Sequence, residues 1–143
     1  MKSYIIPISQ GVTRSSEKND CVVRAIANCT GKTYDEVHSL VAKHGRKEGK
    51  GTYWDTSLAV MRELGFKCMV FGNTKCASYF SRQLKVFRQE SLTLGKAVKQ
   101  FNQGNYVVFV PGHAVAMQDG KLVDSDYNST RKQVSAIWYN PND

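Results

Sequence analysis

Residues 106–139 read YVVFVPGHAVAMQDGKLVDSDYNSTRKQVSAIWY, a series of apolar-rich runs that polar or glycine-containing breaks separate. Short runs that are rich in valine and aromatic residues and bounded by turn residues are typical of β-strands. Asp119 and Gly120 lie between two of these runs, and this dipeptide is a strong signal for a β-hairpin with a two-residue loop. The stretch therefore predicts a set of antiparallel strands.

The preceding residues predict mainly helices. The segment NDCVVRAIANCTG, residues 19–31, has apolar residues at helical spacing and ends at a glycine, so it predicts a helix with Cys21 in its first turn. A second helix follows Thr33, whose hydroxyl can cap it while the Glu36 side chain reaches back. We also expect helices near 55–64 and after Thr93, a strand at 66–71, and a loop with at most one short helix at 72–90. Helices followed by an antiparallel sheet define an α+β fold.

Length and composition indicate one domain that spans residues 1–143, with apolar and charged shares of 41% and 22% that are ordinary for a folded protein. The opening MKSYIIPISQG has too short an apolar run for a signal peptide or a membrane span. We therefore expect a cytoplasmic protein without a membrane partner. Its four cysteines should be reduced, and no two have the CxxC spacing of a zinc site, so we expect neither a metal nor another cofactor.

The positive charge is concentrated in the middle of the chain. The formal net charge is +8, and the segment from Lys67 to Lys99 carries seven basic residues against the single acid Glu90. Such a segment is either a solvated cationic face or a binding surface for an acidic protein or a nucleic acid. We favour the first two possibilities, because the segment lacks the interleaved aromatic residues of a single-strand-binding groove.

Cys21 and His113 are the candidates for chemistry. A cysteine in the first turn of a helix has its thiolate stabilised by unpaired N–H groups and by the helix dipole, although many such cysteines are merely packed. His113 follows a Pro-Gly break and opens a strand, so its ring can emerge at the sheet edge. By contrast, His38 and His44 lie on or just after a predicted helix and are expected to be structural.

The predicted hairpin brings two aspartates towards His113. A two-residue loop pairs Gln118 with Lys121, and continuing this register places Asp126 opposite His113 and Asp124 diagonally across from it. A carboxylate within reach of the ring can fix its tautomer and stabilise the imidazolium. The register leaves both aspartates open, and the one that does not face the histidine is expected to be a solvated turn acid.

The segments NDCVVRAIANCTGKTYDEV and GHAVAMQDGKLVDSDYNSTR together resemble the papain-like cysteine peptidase superfamily. More closely, they are similar to small uncharacterised proteins of bacteria and phages with a DCVVRA helix start and a GHxVAxxDG hairpin. The resemblance implies a papain-like α+β fold, in which a helix that starts at the nucleophile packs on a C-terminal antiparallel sheet. It also implies Cys21 as nucleophile, His113 as base and Asp124 as orienting acid, with Asp126 as the alternative. A phage-encoded protein of this kind would act in the host cytoplasm.

The oxyanion hole of this superfamily commonly uses a glutamine about six residues before the cysteine, because the oxyanion needs preorganised donors. Ser15 occupies that position here, and Gln10 is too distant in sequence. Asn19, together with the backbone N–H of Cys21, is the expected replacement. Capping of the helix is the alternative role for Asn19.

The expected function is that of a cysteine hydrolase that cleaves a peptide, isopeptide or other amide bond through an acyl-enzyme, followed by hydrolysis or transfer. The alternative is a phage-type accessory protein with a vestigial site, which binds an acidic host partner or a nucleic acid through its basic segment. The presence of all three triad residue types at workable spacing favours the enzyme. Tyr53 and Trp54, beside flexible glycines, are expected either to form a wall of the substrate cleft or, for Trp54, to pack on the core.

Overall fold

The computed structural model describes residues 19–47, 49–123 and 130–142, which contain five helices and six strands. The helices are α1 (Cys21–Thr30), α2 (Tyr34–Lys43), α3 (Trp54–Glu63), α4 (Lys75–Leu84) and α5 (Leu94–Gln100). The strands are β1 (Lys67–Phe71), β2 (Arg88–Gln89), β3 (Asn105–Val110), β4 (His113–Gln118), β5 (Lys121–Leu122) and β6 (Ala136–Tyr139). The predicted α+β class is confirmed. Within these described ranges, no helix has the length and apolar character needed to cross a membrane.

The six strands form one open sheet in the order β2-β1-β6-β3-β4-β5. The predicted C-terminal antiparallel sheet is present in β6-β3-β4-β5, but the sheet as a whole is mixed, because β1 pairs with β6 in antiparallel and with β2 in parallel. The physical reason is the helix α4, which connects β1 to β2. A helical crossover returns the chain to the same end of the sheet, so the next strand runs in the same direction.

Helix α4 lies in the segment 72–90, which was expected to be a loop with at most one short helix. Its N-terminus is capped by Thr74, whose hydroxyl accepts a hydrogen bond from the Ala77 N–H at 3.1 Å. Only Cys76, Ala77 and Phe80 are fully buried on this helix. Tyr79 and Leu84 are partly buried against the same core, so the apolar residues of α4 form one face at helical spacing.

The sheet has apolar cover on both faces. Along β3, Val107 and Phe109 belong to one core cluster, whereas Val108 and Val110 belong to the other. Residues from α1 to α4 contribute to the first cluster, and α5 contributes to the second. A strand that is buried on both faces has no polar alternation, which accounts for the continuous apolar run at 106–110.

Helix α1 is the element that carries the candidate nucleophile, and it packs mainly on β4 and also on β3 and α2. Val23 and Ile26 on this helix are completely buried. The helix ends at Gly31, which has a φ of 78° and donates its N–H to the Ala27 carbonyl. The next helix, α2, has the predicted capping box, formed by Thr33 and Glu36.

Candidate active site

Cys21 and His113 meet because each is the first residue of its element and the two elements pack together. Cys21 starts α1, His113 starts β4, and both residues line one cleft, where hydrogen bonding to the His113 side chain lowers the pKa of the Cys21 thiol. Both side chains are half-buried. The sequence prediction that these two residues form a pair therefore agrees with their placement, while their catalytic roles stay a prediction.

The surroundings of Cys21 favour its thiolate. Burial alone would raise the pKa of the thiol, but hydrogen bonds to the His113 side chain and the Ala114 backbone, with the charges of His113 and Arg24, lower the pKa below its ordinary value. The start of α1 also contributes, since the first N–H groups of a helix lack partners within the helix and carry the positive end of its dipole.

The other cysteines provide the contrast. Cys29 and Cys76 are buried, and Cys68 is half-buried. Burial raises the pKa of Cys76 to about 12, despite a hydrogen bond to Ser135, and it also raises the pKa of Cys68. At neutral pH these two thiols are therefore protonated and poor nucleophiles.

The turn between β3 and β4 delivers His113 to the site. His113 pairs with Val110 across the turn, and Gly112 between them has a φ of 77°. This left-handed conformation favours glycine, because a side chain there is strained. Because Val110 and His113 are paired residues on either side of the turn, His113 lies at the end of the β3–β4 strand pair, and α1 packs on β4.

The predicted hairpin after β4 is present. Gln118 pairs with Lys121, and the Val123 N–H donates to the Ala116 carbonyl at 2.9 Å, which continues the predicted register. Asp119 and Gly120 have φ values of 48° and 76°, as a two-residue hairpin turn of the type I′ class requires. The two aspartates that were predicted to face His113, Asp124 and Asp126, lie outside the described residues.

Asn19 lines the same cleft as Cys21 and lies one residue before the N-cap of α1. The N-cap is Asp20, so the alternative in which Asn19 caps the helix does not match the structure. Asn19 has a φ of 59°, and its side-chain amide donates to the Gly49 carbonyl at 3.2 Å. An amide nitrogen has two N–H donors, so the contact with Gly49 is compatible with donation to an oxyanion.

Asp20 is a site residue that the sequence reasoning overlooked. Asp20 as a whole is only 6% exposed, and its carboxylate accepts hydrogen bonds from the Tyr34 hydroxyl at 2.7 Å and from the Arg24 Nε at 3.1 Å. The spacing of Asp20 and Arg24, four residues apart on a predicted helix, is a recognisable ion-pair signal. These contacts tie the first turn of α1 to α2 and place the Arg24 charge near Cys21.

An open cleft of about 220 Å³ gives access to the Cys21 thiol. Its walls come from the start of α1, from the residues before and at the start of α3, and from the end of β3 through the start of β4. The described residues that line it are Asn19, Cys21, Val22, Gly51, Thr52, Trp54, Phe109, Val110, Gly112, His113 and Ala114. Trp54 is 39% exposed and therefore forms a wall of the cleft instead of packing in the core.

Thr52 is a second residue that the sequence did not single out. Its hydroxyl oxygen is buried at the cleft and has no hydrogen-bond partner within the part of the chain that the structure describes. The two histidines that were expected to be structural lie elsewhere: His44 contacts Glu63 at 2.8 Å, and His38 stacks on Tyr34.

No cluster of three metal-ligating side chains occurs in ranges 19–47, 49–123 and 130–142. Comparisons of the chain with known protein families, with curated proteins and with solved structures find no match. A function is therefore inferred from the chemistry of the site itself.

Proposed function

We propose that the protein is a papain-like cysteine hydrolase that cleaves amide bonds, with Cys21 as nucleophile and His113 as general base. The observation that carries the proposal is the placement of Cys21 and His113 on one open cleft, where hydrogen bonding and charge from His113 lower the pKa of the Cys21 thiol. A thiol that is paired with an imidazole at a helix start is the arrangement that nucleophilic cysteine catalysis requires. The orienting acid is Asp124, with Asp126 as the alternative.

The pairing supports a two-step reaction. The Cys21 thiolate attacks the carbonyl carbon of the amide, and the His113 imidazolium gives its proton to the departing amine, which leaves an acyl-enzyme. His113 then takes a proton from water, the resulting hydroxide attacks the thioester, and the carboxylic acid leaves as Cys21 is regenerated. An amine in place of water gives acyl transfer.

Stabilisation of the tetrahedral oxyanion falls to groups at the start of α1. The backbone N–H of Cys21 is among the first N–H groups of the helix, and such groups lack intrahelical acceptors. The Asn19 amide lines the same cleft and is the proposed second donor. Two donors of this kind supply much of the rate enhancement in acyl transfer, because they are already in place when negative charge develops.

The papain-like assignment rests on the motif resemblance and on chain order. The nucleophile precedes the base in sequence, the nucleophile starts a helix, and that helix packs on the strand that the base starts. Peptide, isopeptide and other amide substrates all fit this chemistry.

A second candidate function, binding of an acidic protein, is favoured by the surface around Phe87. This ring is 96% exposed and lies between Lys85 and Arg88, which are also exposed. The turn that presents it is ordered, since the Ser81 hydroxyl donates to the Val86 carbonyl at 2.6 Å and the Val86 N–H donates back to Ser81. An exposed aromatic ring between two cations suits an acidic partner.

The hydrolase proposal is tested by thiol labelling followed by a substrate screen. Limited iodoacetamide at neutral pH should modify Cys21 faster than Cys68 and Cys76, as measured by peptide mass spectrometry. A library of fluorogenic peptide and isopeptide amides should then yield a substrate whose turnover is lost in Cys21→Ser and retained in Cys29→Ser. Slow labelling of Cys21, or turnover that survives Cys21→Ser, would contradict the proposal.

A further inference from the structure

A second cavity, of about 460 Å³, adjoins the cleft that contains Cys21. The described residues that line it are Thr52, Tyr53, Trp54, Asp55 and Tyr79. Thr52 and Trp54 line both cavities, so a chain bound across Cys21 can place a neighbouring side chain in the second one.

The walls of this cavity are aromatic and firmly supported. The Trp54 and Tyr79 rings lie 5.8 Å apart between centroids, and Tyr79 contacts the buried Phe80 ring edge-on at 5.6 Å. Tyr53 is 78% exposed, so its ring is accessible to a ligand in this cavity. Exposed aromatic rings on rigid elements are suited to hold a ligand, because little side-chain entropy is lost on binding.

The charge at this cavity is negative, whereas the net charge of the chain is positive. Asp55 is the charged residue among its described lining residues, although the formal net charge of the chain is +8. One carboxylate oxygen of Asp55 accepts the Thr56 N–H at 2.8 Å, and this bond orients the group in the first turn of α3. Aromatic faces next to an oriented carboxylate attract a cation. The attraction is strongest for a planar guanidinium, because it can stack on a ring and form an ion pair with the carboxylate at the same time.

We infer that this cavity binds an arginine or lysine side chain of the substrate, next to the amide bond that Cys21 attacks. The inference rests on the proposed function for its catalytic meaning and names the substrate class as basic peptides. The cationic end lies against the Trp54 and Tyr79 rings and pairs with Asp55, while the methylene stem lies towards the shared wall at Thr52.

The first test uses peptidyl chloromethyl ketones, which alkylate an active-site cysteine after binding as substrates do. Dipeptidyl probes carry arginine, norleucine or phenylalanine at the first or second position, and the rate of Cys21 modification is measured by mass spectrometry. We expect the arginyl probe to react about tenfold faster than the norleucyl probe at one position. Asp55→Asn should bring the ratio of the two rates close to one.

The matched control is Asp35→Asn, which removes an exposed carboxylate from the first turn of α2 and should keep the ratio. A preference for norleucine or phenylalanine in the parent protein would overturn the inference in favour of an apolar subsite. An arginine preference that persists in Asp55→Asn would also contradict it.

A binding measurement separates this inference from the proposed function. The chain has two tryptophans, and only Trp54 is exposed, since Trp138 is 1% exposed. Addition of acetyl-arginine amide to Cys21→Ser should change the tryptophan emission saturably, whereas acetyl-norleucine amide should not. Saturable binding of the arginine amide supports the inference even if Cys21 proves unreactive, and its absence contradicts the inference even if Cys21 is reactive.

Discussion

The hydroxyl of Tyr34 donates a 2.7 Å hydrogen bond to the carboxylate of Asp20, the residue immediately before Cys21. Tyr34 is the first residue of α2 and is 2% exposed, so the bond joins the starts of two helices inside the protein. Arg24, one turn further along α1, donates a hydrogen bond from its Nε to the other oxygen of the Asp20 carboxylate. The position of Cys21 relative to His113 therefore depends on a buried acid that is not itself part of the proposed reaction.

Removal of the Tyr34 hydroxyl should destabilise the fold. Tyr34→Phe keeps the ring but leaves one oxygen of a buried carboxylate without its donor, so the free energy of unfolding should fall by about 1.5–3 kcal/mol. Urea denaturation measures this change. Tyr53→Phe removes an exposed hydroxyl and should leave the midpoint unchanged. Equal midpoints for Tyr34→Phe and the parent protein would show that the bond contributes little.

The pH dependence of Cys21 alkylation should report its partner. Because the folded environment lowers the pKa of Cys21, the thiolate persists as pH falls below the free value of about 8.5, and alkylation should stay fast until the folded pKa is reached. Burial raises the pKa of Cys21, and His113 opposes this effect. In His113→Ala, the midpoint of the alkylation rate against pH should therefore move to higher pH. His44→Ala, which removes a surface contact with Glu63, should not move it. Identical midpoints in all three proteins would exclude His113 as the group that activates the thiol.

The two aspartates should differ in their effect on turnover. If Asp124 orients His113, Asp124→Asn should reduce Cys21-dependent turnover of a library substrate by up to about 10⁴-fold, because the imidazole loses its tautomer control. Asp126→Asn should have little effect, and circular dichroism should confirm that both variants are folded. The reverse pattern would show that the strand register, which places Asp126 opposite His113, predicts the acid better than the motif resemblance does.

The hairpin turn should not tolerate a side chain at Gly120. This glycine has a φ of 76°, and an added Cβ would lie 2.9 Å from the Val98 carbonyl oxygen. Gly120→Ala should therefore lower the free energy of unfolding by about 1–3 kcal/mol. Gly51→Ala, where an added Cβ meets nothing within 4 Å, is the control and should unfold at the parental urea concentration. Similar losses in both variants would argue against a specific constraint at Gly120.

The basic surface should bind nucleic acid only weakly. At moderate ionic strength we expect negligible binding of a duplex or single-stranded oligonucleotide in fluorescence anisotropy, because Phe87 is the one fully exposed aromatic residue in the described part of this segment. For a surface that binds the phosphates of duplex DNA, the logarithm of the binding constant instead falls by about 0.9 per neutralised phosphate for each tenfold increase in salt concentration. Tight, salt-sensitive binding that is lost on neutralising Arg82, Lys85 and Arg88 together, and retained in Cys21→Ser, would contradict this prediction.

Local patterns predicted the elements that carry the site, and non-local contacts account for what was missed. The start of α1 at Cys21 and the hairpin at Asp119 depend on signals within a few residues, so the sequence was sufficient to predict them. The parallel pairing of β1 with β2 depends on how the crossover helix α4 packs on the sheet, and this is a tertiary contact that no local pattern reports. The contact of Trp54 with Tyr79 joins two helices, and no local pattern reports such a neighbour.

Cys21 and His113 lie far apart in the sequence, at the starts of the first helix and the fourth strand, and this separation has a consequence for synthesis. While the ribosome is still making β3, the nascent chain already contains the thiol but lacks the imidazole that lowers its pKa. The cysteine therefore keeps ordinary reactivity until β4 has emerged and α1 has packed on it. For the proposed hydrolase, activation of Cys21 therefore requires that β4 is made and packed on α1, and a chain that stops before β4 lacks the activated thiol.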